Sequence, residues 1–146
     1  MIELEAICEI LVELGDPSHH GRTRDGERRV TPIIGGTVRG LSGTAAGAGL
    51  HALRASILPG GGDRQLIRPD GSVEIDAAYD ARTDTGALIA MRVTGIRRHA
   101  GTRMYFRVAV RFETAAPGLA ELQDALFVAD GVREDGFVRH TVYRVG

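Results

Sequence analysis

The 146-residue chain contains no lysine and no tryptophan, and its only cysteine is Cys8. Because all 18 basic residues are arginines, a lysine Schiff base and a lysine general base are excluded as mechanisms. A single cysteine cannot form an internal disulfide, so nothing in the sequence indicates a secreted, cross-linked framework. We therefore expect a cytoplasmic protein.

Long apolar runs are also lacking. Glu3, Glu5 and Glu9 interrupt the first apolar residues, and no run approaches the roughly 20 residues of a spanning helix, so neither export nor membrane insertion is expected. The 18 basic residues nearly balance 19 acidic ones, which argues against nucleic acid as a partner. The length and a hydrophobic content of 43% predict a single domain over residues 1–146.

Glycine, by contrast, is abundant, and it separates short segments of alternating hydrophobicity. Hairpin signals occur at Asp70-Gly71 and Thr85-Gly86, which is typical of an all-β meander. Residues 2–14 alternate with a period of two and favour a strand, although their leucines also suit a helix. Strands are further predicted over residues 28–38, 50–58, 64–68, 72–82, 87–96, 104–113, 125–132 and 137–145.

The remaining segments are predicted to connect these strands. Residues 15–26 are expected to form an exposed loop, and the small residues 41–49 a flexible connection. Gly35-Gly36 indicates a bulge in its strand or a close approach of another backbone or of a ligand. Only residues 117–124 appear helical, as a short plug or lid. So many short strands must protect their edges, and the sequence therefore predicts a closed antiparallel β-barrel of about eight strands with one short helix.

Several blocks of residues, in this order, resemble the family catalogued as domain of unknown function 3237. The resemblance covers most of the chain. It implies a soluble antiparallel β-barrel that is usually an oligomer, and it implies no agreed reaction. The blocks are ERRVTPIIGG (27–36), LPGGGD (58–63), RPDG (68–71), DAAY (76–79), TDTG (83–86), YFR (105–107) and FET (112–114).

Asp63 is the strongest catalytic candidate, because it follows three glycines that can present a carboxylate with little steric cover. Arg64 and Gln65, which come next, are assigned to substrate binding. The alternative is that Asp63 only caps a turn through backbone amides. Tyr79 is the second candidate: it shares a strand face with apolar residues, where its phenol can donate to a ligand oxygen or be an ordinary buried tyrosine.

A third group lies on one face of the strand at residues 104–113. Tyr105, Arg107 and Glu113 alternate there with apolar residues and would offer a donor, a cation and a proton-transferring carboxylate if this face lined the lumen. The alternative is a solvated face of arginine and glutamate pairs. His19, His20 and His51 show no metal-ligand spacing, so no metal is predicted.

Together these candidates predict a small-molecule enzyme without a cofactor, of isomerase, cyclase or dehydratase type, acting on an oxygenated, partly apolar metabolite. Asp63 or Glu113 would move the proton. The alternative is a non-catalytic binding barrel, a carrier or sensor of the same ligands. Leftover apolar surface on a small barrel also predicts a homo-oligomer.

Overall fold

The computed structural model describes residues 1–41 and 48–146, which form one ten-stranded antiparallel sheet and two short helical segments. Of the connection predicted over residues 41–49, residues 42–47 lie outside the described residues. The strands are β1 (Leu4–Leu14), β2 (Ser18–Thr23), β3 (Gly26–Gly40), β4 (Arg54–Ile57), β5 (Gly61–Ile67), β6 (Val73–Thr83), β7 (Leu88–Ala100), β8 (Arg103–Thr114), β9 (Leu126–Glu134) and β10 (Phe137–Val145). The helical segments are α1 (Ala48–His51) and a 3-10 helix (Pro117–Gln123).

The sheet closes into a ring. Strand β1 is hydrogen-bonded to β10 on one side and to β3 on the other, and the order continues from β10 through β9, β8 and β7 to β6. Strands β4 and β5 together fill the place between β6 and β3, one towards each end of the barrel. The ring therefore has eight positions, which confirms the predicted closed antiparallel barrel.

Strand β1 confirms the interpretation of residues 2–14 as a strand, but its two ends face different sides of the wall. A bulge between Ala6 and Cys8 shifts its register with β10. Ile7 and Cys8 are consequently both fully buried, whereas Leu4, before the bulge, is 58% exposed. The expectation that all even-numbered apolar residues share one face is therefore wrong before the bulge.

The bulge predicted at Gly35-Gly36 lies next to this pair, at Ile34, which has no partner in β1. The register between β1 and β3 shifts where Glu13 is opposite Gly35 and Leu14 is opposite Ile33. Gly36 has a φ of 128°, and a Cβ at this position would collide with the Leu11 carbonyl oxygen. Only glycine therefore fits at this crossing of the two strands.

The segment predicted to be an exposed loop, residues 15–26, contains strand β2, so that prediction is wrong. Strand β2 pairs with the first residues of β3, although all of its side chains are exposed. Its polar composition does not reveal the pairing, because the backbone of the long β3 strand supplies the hydrogen bonds. The result is a hairpin that extends the barrel wall beside the β5–β6 turn.

One end of the barrel is closed by a leucine plug, which we define as Leu50, Leu53, Leu119 and Leu122, all between 1% and 6% exposed. The helix predicted over residues 117–124 is confirmed as the 3-10 helix, which supplies two of these leucines. The strand predicted over residues 50–58 begins only at Arg54, because residues 48–51 form α1. The plug thus seals the interior with hydrocarbon at the end where β8 finishes and β9 begins.

Apolar side chains fill most of the interior above the plug. The inward positions of β6 to β9 include Ala81, Met91, Val110 and Phe112, each at most 7% exposed. Hairpin turns at Gly71 and Gly86, with φ values of 86° and 95°, lie where the sequence predicted them. No helix among residues 1–41 and 48–146 has the length and hydropathy needed to cross a bilayer.

Candidate active site

Polar side chains enter the barrel interior at the end opposite the leucine plug. At this end the β5–β6 turn (68–72) lies beside the β7–β8 turn (100–103), because Val73 is opposite both Ile67 and Arg97 in register. Seven polar residues from six strands start from the inner face of the wall, with Arg133 exposed at the rim, and we define them as the interior polar cluster: Arg29, Asp63, Gln65, Tyr79, Arg97, Arg133 and His140. We consider its members in turn.

Asp63 lies within strand β5 and not on a turn, and it faces the interior between Thr31 of β3 and Ala77 of β6. Its side chain is 8% exposed. One carboxylate oxygen, Oδ1, accepts the Asp76 backbone N–H at 3.0 Å, and the other, Oδ2, accepts Gln65 Nε2 at 2.9 Å. Both oxygens are therefore fixed in place by donors.

The side-chain amide of Gln65 is itself held in one orientation, because Arg29 donates a hydrogen bond to it. It is 2% exposed, and its Oε1 accepts the Arg29 Nε–H at 2.6 Å. A charge-assisted bond on Oε1 leaves the Nε2 group free only to donate, which it does to Asp63. Arg29, Gln65 and Asp63 therefore form a series of hydrogen bonds that positions the Asp63 carboxylate. Gln65 lies beside Asp63, and its assignment to substrate binding stays a prediction.

The pKa of Asp63 is raised above its ordinary value, chiefly because burial removes water from the carboxylate. The hydrogen bonds from the Asp76 amide and Gln65, and the positive charge of Arg97, act in the opposite direction without cancelling it. A carboxylate with a raised pKa is a stronger base than one in water. Asp63 thus has the environment of a proton-transfer group.

Tyr79 faces the same interior space. Asp63 is directly opposite Ala77, so Tyr79, two residues farther along β6, is its diagonal neighbour on the inner face. Tyr79 is 5% exposed, and its hydroxyl has no hydrogen-bond partner among the described residues. Buried hydroxyls are nearly always paired, so an unpaired one indicates a place for a ligand or water oxygen.

Burial also keeps the phenol protonated. It raises the pKa of Tyr79, and the nearby Cys8 and Asp63 groups raise it further. Burial raises the pKa of the Cys8 thiol to about 12, so this thiol stays protonated as well. Around Asp63 the interior therefore offers a hydroxyl donor but no thiolate nucleophile.

The glycines before Asp63 make room for Tyr79. Gly61 lies opposite Tyr79, and a Cβ added to it would be 2.6 Å from the Tyr79 Cβ and 2.6 Å from the Ala78 carbonyl oxygen. Gly60, with a φ of 110°, turns the chain before β5 begins. The sequence analysis interpreted the three glycines as an exposed turn. In the structure Gly61 is instead required because β5 and β6 approach closely at this point.

Arginines surround the open end of the interior. Burial lowers the pKa of Arg97, and the positive charges of Arg133 and Arg29 lower it further, while Asp63 acts in the opposite direction. The Arg97 Cζ atom lies 5.7 Å from the centre of the Phe106 ring. Arg97 and Arg133 both line a groove of about 450 Å³ at this end of the barrel.

His140 completes the cluster on β10. It is 4% exposed, its Nδ1 lies 2.9 Å from the Asp130 carbonyl oxygen, and its ring meets the edge of Phe106 at a centroid distance of 5.5 Å. Burial lowers the pKa of His140, although the hydrogen bond and charge of Asp130 oppose this shift. A neutral imidazole is therefore favoured inside the barrel.

Other residues proposed from the sequence lie outside the barrel. Phe106, Val108, Val110 and Phe112 are the inward residues of β8, so Tyr105, Arg107 and Glu113 point outward. The expectation that this ionic face lines the lumen is thereby corrected, because burial of the apolar face decides the orientation. The groups of Tyr105 and Arg107 lie against each other on that surface, with the Arg107 Cζ 5.5 Å from the Tyr105 ring centre.

Arg64 also points outward, since it alternates with the buried Asp63 and Gln65. His19 and His20 are exposed on β2, and His51 lies in α1. Within the part of the chain that the structure describes, no three His, Cys, Asp or Glu side chains converge as a metal site would require.

Sequence reasoning missed Arg29, Arg97, Arg133 and His140. Strand parity carried a usable signal for Arg97: it has the same parity as Met91 and Val93, but the predicted strand ended at residue 96. For Arg133 the signal was its parity with Ala129. Long arginines at strand ends resemble surface residues, so pattern alone does not select them.

The fold is a closed antiparallel barrel, and its interior buries the Asp63 carboxylate and a Tyr79 hydroxyl that has no partner among the described residues. The chain belongs to the family of proteins of unknown function DUF3237, whose model matches residues 2–145. This confirms the resemblance seen in the sequence.

Two relatives match 99% and 70% of the chain. A UPF0311 protein of Rhodopseudomonas palustris is 30% identical over 158 residues, which is 99% of this chain and 97% of that protein. A UPF0311 protein of Clostridium acetobutylicum is 32% identical over 117 residues, covering 70% of this chain and 68% of its own length.

Solved structures have the same fold. A β-barrel-like protein of Acinetobacter baumannii has a TM-score of 0.88 and 29% identity, covering 100% of this chain and 97% of that one. A protein of unknown function from Rhodopseudomonas palustris has a TM-score of 0.87 and 30% identity, with coverages of 100% and 99%. A structure described as an enzyme from Penicillium herquei has a TM-score of 0.70 at 17% identity, with coverages of 100% and 94%, and at that identity the likeness shows the fold alone.

Proposed function

We propose that this chain is a cofactor-independent acid–base enzyme, of isomerase, cyclase or dehydratase type, acting on an oxygenated, partly apolar metabolite. The observation that carries the proposal is the pairing of Asp63, a buried carboxylate with a raised pKa, with the unpartnered hydroxyl of Tyr79 on the same interior face. A base and a donor on one face are what enolisation of a carbonyl compound needs.

The proposed step is balanced within the substrate and these two side chains. The Asp63 carboxylate takes a proton from the carbon next to a carbonyl group, and the C–H electron pair becomes the new C=C bond of an enolate. Tyr79 donates its hydroxyl hydrogen bond to the oxygen that gains negative charge. In a substrate with a C=C bond between its β and γ carbons the enolate is a conjugated dienolate. Asp63, now protonated, gives the proton to the γ carbon, the C=C bond moves to the α and β carbons and the C=O bond re-forms, so the substrate is isomerised with no net change in protons or electrons.

Deuterium exchange tests this step without knowledge of the natural substrate. We would incubate the protein in D₂O with a panel of enolisable ketones and keto acids and follow C–H exchange by NMR. Because general-base catalysis contributes about 10²- to 10⁴-fold, Asp63→Asn should slow exchange by that factor. Tyr79→Phe should slow it by about 10²-fold, the effect of one donor to a developing oxyanion.

Two outward residues supply matched controls, namely Glu113→Gln for the carboxylate and Tyr105→Phe for the phenol. Both variants should exchange at the rate of the unmodified protein, since neither side chain reaches the interior. An unchanged exchange rate in Asp63→Asn would show that Asp63 is not the base. An equal loss of exchange in Glu113→Gln would indicate that the reaction occurs on the outer face of β8.

One observation favours a second candidate, a non-catalytic binding barrel that carries or senses such a ligand. Both oxygens of Asp63 already accept hydrogen bonds, so the carboxylate can also serve to hold β5 and β6 in fixed positions around a bound ligand, without transferring a proton. This candidate predicts that mass spectrometry of the denatured, purified protein releases an unchanged small molecule, and that no panel compound exchanges faster than in buffer.

A further inference from the structure

A groove lies at the open end of the barrel, beside two members of the interior polar cluster, Arg97 and Arg133. Its volume is about 450 Å³, and Arg97, Arg133 and Val73 are among the residues that line it. Arg97 has the same strand parity as the buried Val93, so its side chain starts from the inner face of the wall. A molecule in this groove therefore contacts the guanidinium groups of Arg97 and Arg133.

The arginines of this groove have no acidic partner. Arg97 and Arg133 make no ion pair within 4.0 Å with any carboxylate of residues 1–41 and 48–146, and Arg29 is bonded to the neutral amide of Gln65. Three acids of the neighbouring strands are paired with other arginines. Their pairs, each at 2.9 Å, are Arg68–Glu74, Arg92–Asp76 and Arg139–Glu134.

The charge balance at the open end is consequently positive. The groups that act on Arg97 are two further guanidinium groups, Arg29 and Arg133, and a single carboxylate, Asp63. Like charges that are brought together and partly desolvated cost free energy unless an opposite charge joins them. Among the groups that act on Arg97, the single carboxylate of Asp63 does not balance the three guanidinium groups.

Apolar side chains, Val73 and Val132 among them, line part of the groove, and Arg98 and His99 line another part. Val73 is 7% exposed and Phe106 is 2% exposed, and the Phe106 ring lies beneath Arg97. A small, strongly hydrated anion gains little from such walls, whereas a carboxylate on a hydrocarbon body gains both charge-assisted hydrogen bonds and apolar contact. Guanidinium groups match a carboxylate in shape, because two N–H groups reach its two oxygens.

We propose that Arg97 and Arg133 bind the carboxylate of an organic acid, so that the substrate is an apolar monocarboxylate whose reactive carbon lies deeper in the barrel. The assignment of a substrate class rests on the proposed function. The binding of a carboxylate by the two arginines can be tested without turnover. In this arrangement Arg29 adds positive charge from behind Gln65. Asp63 is kept apart from the bound carboxylate by the arginines between them.

Benzoate and benzamide are suitable probes, because they have the same shape and differ in charge. Titrations by calorimetry or NMR should show benzoate binding more tightly than benzamide. Arg133→Ala should weaken benzoate by about 10- to 100-fold, as expected when a hydrogen-bonded charge is lost, and leave benzamide unchanged. Arg133 is exposed, so this variant should fold normally.

Arg82→Ala is the matched control, since Arg82 is an exposed arginine near the plugged end and should not affect either probe. Equal affinity for benzoate and benzamide, or an unchanged benzoate affinity in Arg133→Ala, would overturn the inference. Tighter binding of inorganic phosphate than of benzoate would also overturn it, because the site would then select phosphate.

One further variant separates this inference from the proposed function. Asp63→Asn removes the only carboxylate acting on Arg97, so it should strengthen benzoate binding even though it abolishes deuterium exchange. If the protein binds benzoate in this charge-dependent way but no compound exchanges in any variant, the acid–base function fails and the carboxylate site stands. Weaker benzoate binding in Asp63→Asn would count against the site.

Discussion

The two ends of the barrel interior differ in what they bury. The plugged end buries leucines from α1, the segment after it and the 3-10 helix, whereas the open end buries a carboxylate, an amide, a phenol and an imidazole. Hydrocarbon at the first end contributes free energy of folding. Polar groups inside the barrel cost free energy unless each is paired, and the Tyr79 hydroxyl has no partner within residues 1–41 and 48–146. The contrast indicates that stability is concentrated at one end and chemistry at the other.

The largest effect should come from the plugged end. Leu122 is 1% exposed, so Leu122→Ala should lower the free energy of unfolding by about 2–5 kcal/mol, through lost burial and a residual cavity. Leu126→Ala is the control, because Leu126 is 76% exposed and its removal should change stability by less than about 0.5 kcal/mol. Urea denaturation measures both, and similar values for the two variants would contradict a stabilising plug.

A smaller effect should come from the close approach at the open end. Gly61→Ala should destabilise the protein by about 1–3 kcal/mol, because its Cβ would be 2.6 Å from Tyr79 and from a backbone carbonyl that cannot move easily. Gly118→Ala, where an added Cβ has nothing within 4 Å, is the matched control and should be neutral. A neutral Gly61→Ala would show that the two strands tolerate a wider separation.

The smallest effect is a difference between the two ends in how the melting temperature depends on pH. The folded state raises the pKa of Asp63, so the folded protein binds this proton more tightly than the unfolded chain does. The stability associated with it is present at low pH and is lost as pH rises through the folded-state pKa. The melting temperature of Asp63→Asn minus that of the unmodified protein should therefore increase from about pH 4 upward.

Leu122→Ala provides the comparison for this measurement, because it removes no titratable group. Its difference in melting temperature should stay level over the same pH range. A flat difference for Asp63→Asn, like that for Leu122→Ala, would mean that the Asp63 carboxylate is as well solvated in the folded protein as in the unfolded chain.

The barrel was predictable from local signals. Alternation along β6 placed Tyr79 on the inner face, and glycines at the hairpins placed the turns at Gly71 and Gly86. Burial of Asp63 was less accessible, because the three glycines suggested a turn and the structure has a strand. The exposed pairing of β2 left no trace in its side chains.

The site itself was predictable only in part, for a physical reason. Arg29, Arg97 and Arg133 lie on β3, β7 and β9, so they meet only after the ring closes. The sequence of β8 showed one apolar face and one ionic face. Because a polar lumen was assumed, the ionic face was wrongly predicted to point into the barrel. Packing an interior with Phe106 and Phe112 outweighs any preference for lining it with charge.

The seam between β1 and β10 has a kinetic consequence. Arg144 donates to Glu5 at 3.1 Å, across a sequence separation of 139 residues. The chain must bring these distant segments together before their contacts return any free energy, which is characteristic of slowly folding β-proteins. Until that seam forms, two long strand edges stay open to wrong partners, so refolding yield should fall as protein concentration rises.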